Sequence, residues 1–441
     1  MTPHTSSILK PALLALVGSP LLAVNSFGFA EVARGALTLD TELRLTYDSY
    51  FIGADIPGDD DYFASLRPTL RYVRRAGLAE ITGDVGVAIM RYDTHDRYDS
   101  EDLSAKLRAE LPFADGARLS GFVDLTYSEA TRVDYDVMDR VRAETYRASI
   151  NFQYKLGVKT SLTERFSYGN TDRSGYSDQE IITNNLGFVY SDFLHGTSLS
   201  LNHGYTSTTS SGLNARNAEL DQTSNSFSAS LSRPIAGPLR GTVTAGYRIL
   251  DRAARETDIG QTEIKGAFYS ATLSGPFLPP SRFPKVQSSA SITYQESESP
   301  GINDTGQKTL TGDMSLSWQA RERTDVSLSA NRSVNLTASD LSVETTRATV
   351  AVNQRVGIAT SLSASLSYVW RDYSNLDRSD NTLDFTLSGG YQLTRYWSFG
   401  ASYTYEKNDT SGSDSPIFSY RRMRATDYDR HLASVFVRNL F

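Results

Sequence analysis

The chain has 441 residues, with 51 acidic and 44 basic side chains, five histidines and no cysteine. The lack of cysteine excludes disulfides, thiolate metal sites and cysteine nucleophiles. With 25 tyrosines, 19 phenylalanines, 31 glycines and a mean hydropathy of −0.36, the composition favours strands and turns and disfavours a helical enzyme. No stretch after residue 30 approaches the roughly 18 consecutive apolar residues of a transmembrane helix.

The first thirty residues have the pattern of a secretory signal. Lys10 precedes an apolar run over residues 11–24, and Gly28 and Ala30 place small residues near a cleavage site. The run is too short to span a bilayer comfortably, so a retained membrane anchor is the less favoured alternative. We predict a cleaved signal peptide over residues 1–30 and a mature domain over residues 31–441, exported through the periplasm.

From residue 36 onward, apolar and polar residues alternate in segment after segment. In residues 362–368, for example, Leu362, Leu366 and Tyr368 are separated by serines. Only a strand places two such sets on opposite faces. The predicted strands begin near residues 36, 62, 78, 102, 117, 145, 160, 180, 197, 223, 240, 262, 286, 308, 324, 341, 359, 381, 397 and 428. The phase of the strand near residue 262 is ambiguous.

The predicted connections alternate between short turns and long polar loops. The long loops include residues 48–61, 93–101, 128–144 and 408–426. Short turns at one rim and long loops at the other are typical of outer-membrane barrels, whose strand number in a single bacterial chain is even. We therefore predict an all-β fold: a single closed antiparallel transmembrane β-barrel of about 20 strands, with 18 also acceptable.

The positions of the aromatic residues favour a barrel over a soluble sandwich. A sandwich core would hold its largest aromatics in mid-strand, whereas Tyr and Trp here stand near strand ends, where two bilayer interfaces need amphipathic rings. The predicted aromatic girdle at one rim consists of Tyr47, Tyr127, Tyr168, Tyr205, Tyr247, Tyr294, Tyr368, Trp370 and Tyr405.

The end of the chain resembles the terminal strand that bacterial assembly machinery recognises in outer-membrane barrels. Phe441 is the last residue, and Val437 and Val435 precede it in the same phase. Asn439 departs from this pattern, since an apolar or aromatic residue is usual there. Because a strand edge has no water to bond in lipid, the sheet must close on itself.

If the polar phase faces inward, the first third of the barrel contributes most of the charge to the lumen. The candidate lumen-lining residues are Glu42, Arg44, Arg67, Arg71, Lys106, Arg108, Glu110, Arg147, Lys155 and Arg165. Hydroxyls and amides dominate the rest of the predicted wall. Such a lining suits hydrated passengers such as sugars. The alternative is a merely solvated wall whose opposite charges neutralise one another across strands.

Two further patterns do not support catalysis or metal binding. The acidic loops 55–61 and 93–102 carry the oxygen ligands that calcium prefers but lack the spacing of a calcium loop, so we interpret them as a rim facing lipopolysaccharide. Ser198 and Ser200 share one strand face, and His203 falls on the other, so they cannot form a triad. We predict no enzyme activity, no cofactor and no nucleic-acid binding, the last because a basic face is absent.

The opening hairpin resembles a known family. Residues 45–51 read LTYDSYF, and residues 60–72 read DDYFASLRPTLRY. This is similar to the first hairpin of the outer-membrane beta-barrel porin family associated with capsule and exopolysaccharide export operons. The resemblance implies passage of secreted polysaccharide across the outer membrane, together with inner-membrane and periplasmic export components. It assigns no functional residue.

The sequence therefore predicts an outer-membrane, porin-like channel that acts as a passive conduit for extracellular polysaccharide export. Its expected partners are outer-membrane lipid and lipopolysaccharide, the barrel-assembly machinery during insertion, polysaccharide, and periplasmic export components. Two alternatives stay open. One is a general diffusion porin for small polar solutes, and the other is a surface anchor or adhesin whose lumen is blocked.

Overall fold

The computed structural model describes residues 30–32, 34–51, 59–111, 117–134, 139–175, 178–210, 220–254, 262–278, 283, 285–297, 307–336, 342–373, 378–412 and 427–440. The strands are β1 (Ala30–Val32), β2 (Gly35–Asp48), β3 (Asp61–Ala76), β4 (Ala79–Tyr92), β5 (Ser100–Leu111), β6 (Leu119–Asp134), β7 (Asp139–Lys155), β8 (Thr160–Arg173), β9 (Gln179–Leu194), β10 (Thr197–Ser210), β11 (Leu220–Ala236), β12 (Leu239–Ala254), β13 (Thr262–Ser274), β14 (Val286–Ser297), β15 (Gln307–Arg321), β16 (Thr324–Leu336), β17 (Ser342–Val356), β18 (Thr360–Tyr373), β19 (Arg378–Gln392), β20 (Trp397–Gly412) and β21 (Tyr428–Leu440). A 3-10 turn covers Asp96–Tyr98.

Strands β2 to β21 form one closed antiparallel barrel. Each pairs with the strands before and after it in sequence, and β21 pairs with β2, so the sheet has no free edge. The short β1 pairs with the start of β2. The prediction of a closed barrel of about twenty strands is confirmed, and most observed strand starts lie within three residues of the predicted ones. In the described part of the chain, no helix is long and apolar enough to cross a membrane.

The two faces of the sheet differ as the alternation predicts. Leu362 and Leu366 of β18 are 46% and 48% exposed, and most of the large aliphatic residues on this phase are exposed as well. A soluble protein would bury such a surface under a second layer. In the described part of the chain no second layer covers the outside of this closed sheet, so its outward face is suited to contact with lipid.

Strand β13 has a defined phase. Tyr269 and Leu273 are 57% and 41% exposed on the outward face, and Phe268 pairs with Gly246 on the inward face. A Cβ atom at Gly246 would lie only 2.3 Å from the Phe268 ring, so the ring covers the glycine directly. The alternation was ambiguous in sequence because both faces of this strand carry an aromatic residue.

The predicted loop over residues 128–144 is wrong in extent, because β6 continues to Asp134 and β7 begins at Asp139. Beyond Ser128, β6 no longer pairs with β5, and before Ala143, β7 does not pair with β8. Residues 129–134 and 139–142 therefore form a two-stranded projection above the wall, here called the β6–β7 extension. The polar composition of the extension hides the apolar–polar alternation in the sequence, but backbone pairing between its two strands does not depend on that alternation.

Two arginine–aspartate pairs join the first and last strands of the barrel. Arg430 of β21 donates two hydrogen bonds to Asp48 of β2, at 2.8 and 2.5 Å, and both side chains are buried. Nearer the short turns, Arg438 pairs in the same way with Asp40, but the Arg438 side chain is half exposed. The closing seam therefore has one buried ion pair and one solvated ion pair.

The two ends of this seam should respond differently to loss of the carboxylate. Asp48→Ala leaves buried cationic charge without its main partner, and we expect it to cost roughly 3–5 kcal/mol of unfolding free energy. Asp40→Ala, the matched control, removes a solvated pair worth less than about 1 kcal/mol. Urea unfolding of the folded barrel in lipid vesicles measures both. Equal losses in the two variants would contradict this account of the seam.

Candidate functional site: the lumen and its extracellular mouth

All of the predicted lumen-lining charged residues lie on the inward phase of their strands. Glu42 is in register with Arg67, and Lys106 is in register with Thr126, which is in turn in register with Arg147. The same face holds Arg44, Arg71, Arg108, Glu110, Lys155 and Arg165. We call this region, on β2 to β8, the charged arc.

Within the charged arc, arginines form ion pairs with carboxylates. Arg71 Nε lies 2.8 Å from Asp84, and Arg44 Nε lies 3.0 Å from Glu42. Arg108 contacts two carboxylates, Glu110 and Asp124, each at 3.1 Å, and its guanidinium also stacks 4.0 Å above the Phe122 ring. These acids are thus neutralised in place, along and across the strands.

The inward face of β14 to β21 is lined mainly by hydroxyl groups and is called the hydroxyl arc. Hydroxyls on neighbouring strands bond one another across the sheet: Ser289 to Ser315 at 2.7 Å and Thr386 to Thr404 at 3.0 Å. The rows continue over the closing seam, where Thr46 donates to Ser434 at 3.1 Å. This wall presents neutral donors and acceptors to the lumen.

The residues of the predicted aromatic girdle lie on the outward phase, opposite the two arcs. Tyr47 packs on Tyr62 with ring centroids 4.8 Å apart, and Tyr368 meets Trp370 edge to face at 4.3 Å. The other members are Tyr127, Tyr168, Tyr205, Tyr247, Tyr294 and Tyr405.

The described part of the predicted assembly signal also faces outward. Val435 and Val437 lie on the outward phase of β21, in register with Leu45 and Leu43 of β2. Asn439, the departure from the usual pattern, is in the same phase and is buried. Phe441 lies outside the described residues, as do residues 1–29 of the predicted signal peptide.

A buried cluster narrows the long-loop end of the lumen, which faces the cell exterior in barrels of this kind. Its members, called the mouth cluster, are Asp48, Phe51, Tyr92, Arg140 and Arg430. Arg140 donates to the Tyr92 hydroxyl at 2.9 Å, approaches Asp48 at 3.8 Å, and stacks on the Phe51 ring at 4.3 Å. Four strands separate β2 from β7 in the sheet, so the β6–β7 extension must lean inward across the mouth.

The acidic loop residue Asp61 organises the neighbouring loop. Its carboxylate accepts hydrogen bonds from the backbone N–H groups of Thr94 and His95, both at 3.0 Å, and lies 2.8 Å from the His95 ring nitrogen Nδ1. The His95 ring stacks on Phe51 with centroids 4.2 Å apart. Among the described residues, no group of three or more potential ligands could hold a metal ion.

The mouth cluster continues sideways into a second buried network on β18 to β21. Arg378 makes two hydrogen bonds to Asp380, at 2.9 and 2.6 Å, and Tyr373 donates to the same carboxylate at 2.9 Å. Arg430 also approaches Glu406 at 3.6 Å. The sequence analysis predicted neither network. The mouth cluster joins distant strands, whereas Tyr373, Arg378 and Asp380 lie close together on neighbouring strands but form no recognisable motif.

The histidine and serine residues near position 200 lie on opposite faces. Ser198 and Ser200 are in register with Ser232 and Ser230 on the inward face, whereas His203 faces outward with its ring 4.6 Å from Phe227. This arrangement follows the strand geometry expected from the sequence.

Comparison with known families agrees with the barrel. Residues 292–426 match the family model described as "Putative beta-barrel porin 2". The expected resemblance to a beta-barrel porin family is thereby confirmed, although the matched segment is not the opening hairpin that carried it. The chain folds as a closed β-barrel, and about a third of it is similar to this porin family. No curated protein matches it.

Solved structures with a similar fold include a transporter and two receptors. The ferric citrate transporter FecA aligns with a TM-score of 0.55 at 10% identity, covering 91% of this chain and 78% of FecA. The closed form of the ferric-catecholate import receptor Fiu from E. coli gives 0.53 at 10% identity, covering 91% and 81%. BauA, the ferric preacinetobactin receptor of Acinetobacter baumannii, gives 0.53 at 10% identity, covering 91% and 80%. At these identities the likeness shows the fold alone.

The contacts of Arg140 predict that it holds the β6–β7 extension over the mouth. Arg140→Ala removes a charge-assisted hydrogen bond and two ring contacts, together worth about 1.5–3 kcal/mol or more, which shifts the docked population by about tenfold or more. We expect a higher single-channel conductance. The control is Arg142→Ala on the same extension, whose guanidinium is half exposed beside Glu129. Unchanged conductance in Arg140→Ala, or the same rise in Arg142→Ala, would contradict the role of Arg140.

Proposed function

We propose that this protein is a passive channel that conducts extracellular polysaccharide across the outer membrane. The observation that carries the proposal is a closed wall of twenty strands whose inner face is polar. Barrels of sixteen to eighteen strands already enclose an aqueous channel, so a barrel of about twenty strands is wide enough for hydrated solutes. No chemistry is needed, only a wet polar path through an insulating layer.

The lining supports a glycan as passenger. A sugar chain carries many hydroxyls that exchange hydrogen bonds with water and with protein groups of the same kind. The hydroxyl arc offers such groups at successive heights, from Ser363 and Ser388 near the short turns to Thr386 and Thr404 farther up. A passenger moving along this wall keeps its hydrogen bonds at low cost, since each lost contact is replaced by an equivalent one.

Two other functions are alternatives. A general diffusion porin for small polar solutes needs the same wall and no polysaccharide. A surface anchor or adhesin needs a blocked lumen, and the mouth cluster is the feature that favours it, because buried side chains cross one side of the opening.

We further propose that the chain travels through the periplasm after cleavage of its leader, is inserted by the barrel-assembly machinery, contacts lipopolysaccharide and works with periplasmic export components.

The proposal predicts an ohmic current and an effect on secreted glycan. The purified barrel in a planar bilayer should conduct, and deleting its gene from the bacterium that makes it should lower extracellular polysaccharide while intracellular polysaccharide rises. Complementation with the intact chain is the control. No current from fully inserted protein would favour the anchor. A current together with unchanged polysaccharide output would favour the diffusion porin.

A further inference from the structure

The charged arc carries a set of cations that form no ion pair in the described part of the chain. Two of them, Arg67 and Lys106, lie in register with Glu42 and Asp84, but other arginines already bind these carboxylates. The carboxylates of this wall at mid-height are held by arginines, as Asp84 is by Arg71 and Asp124 is by Arg108. The cations that form no ion pair in the described part of the chain are all exposed: Arg67, Lys106, Arg147, Lys155 and Arg165. These charges face the lumen although the whole chain has a net charge of −7.

The unpaired cations stand at successive heights of the lumen. Lys106 and Arg147 share one cross-strand row through Thr126, so their strands are about 9.6 Å apart. Arg165 lies in register with Asn151 of β7. Lys155 lies four residues farther along β7, in a row nearer the short turns. Arg147, Asn151 and Lys155 are four residues apart on β7, which corresponds to about 13 Å between rows. The result is a ladder of positive charge from mid-barrel to the short-turn end.

The opposite wall does not cancel this ladder. The inward acids of the hydroxyl arc in the described part of the chain are Asp313, Asp325, Asp380, Asp384 and Glu406. Asp380 forms an ion pair with Arg378, and Glu406 lies 3.6 Å from Arg430. The same face also carries Arg347, Arg355, Arg371 and Arg438, so its described cations outnumber its acids. Between β9 and β13 the inward charges are arginines, such as Arg240 and Arg248. In a lumen with low-dielectric walls, one sign of charge concentrates ions of the other sign.

We propose that the charged arc makes the lumen selective for anions and that the passenger is an acidic polysaccharide. This inference rests on the function proposed above and names its substrate class. Carboxylates along such a glycan pass from one row of cations to the next, while its hydroxyls bond the hydroxyl arc. Arginine and lysine without acidic partners suit this task because each remains free to pair with a passing carboxylate.

Ion selectivity of the full-length barrel in a planar bilayer tests the inference. Under a KCl gradient, the reversal potential should show preference for chloride over potassium. The variant Lys106→Gln/Arg147→Gln/Arg165→Gln should lose that preference several-fold. The control Lys265→Gln/Lys308→Gln/Arg332→Gln removes the same number of cations from the outward face and should leave the preference unchanged. Recovery of the folded form after reconstitution shows that each variant is intact.

The passenger class is tested in the same bilayers. Oligogalacturonate, which carries carboxylates, should reduce the current more strongly than neutral dextran of equal length. The difference should vanish in the inward variant and in molar salt, where the screening length falls to about 3 Å. A cation-selective or non-selective current, or equal block by both glycans, overturns the inference and leaves the channel function standing. Absence of any current from inserted protein instead overturns the channel function itself.

Discussion

The architecture depends on one constraint: in hydrocarbon, every backbone N–H and C=O group must find a partner within the protein. An unsatisfied group costs several kcal/mol, and a strand edge exposes a whole row of such groups. The chain meets this constraint through one uninterrupted cycle of antiparallel pairs, closed where β21 meets β2. Closure joins residues almost 400 positions apart, and the Arg430–Asp48 pair holds that contact at the outer end.

The same constraint determines where polar side chains go. Since a strand turns successive side chains to opposite faces, a wall that shows leucine and valine to lipid must show its other residues to the interior. In β18, Leu366 faces outward, and Ser365 and Ser367 face inward. The lumen is thus a necessary product of the fold, and its character is set by which polar residues occupy the inward phase. Here those residues divide into a charged arc and a hydroxyl arc.

Much of the fold could be predicted because its main signal is local. Alternation between adjacent residues located the strands, and turn residues located the short connections, so β10, β16 and β20 begin where the sequence predicts. The faces of Lys106 and Arg147 followed from the same period. The β6–β7 extension was missed because each face of its strands mixes charged residues with one valine, Val133 on one face and Val141 on the other. This mixture removes the alternation while the backbone still pairs.

The mouth cluster could not be predicted for a different reason. Asp48, Arg140 and Arg430 have no common spacing or motif, and they meet only because the barrel closes and the extension leans across its mouth. These side chains are buried because the fold brings them together, and no local stretch of the sequence shows that they meet. The identity of the passenger is harder still to predict from the sequence, since it depends on the balance of paired and unpaired charges across several strands.

Nitroxide labels placed one at a time at positions 362–369 of β18, in bilayers, test the central claim most directly. Each label's collision rates with oxygen, which partitions into lipid, and with a water-soluble nickel complex are compared. The account predicts a period of two, with labels at Leu362, Leu366 and Tyr368 meeting oxygen and labels at Ser363, Ser365 and Ser367 meeting nickel. The reverse order, or no alternation along the strand, would contradict it.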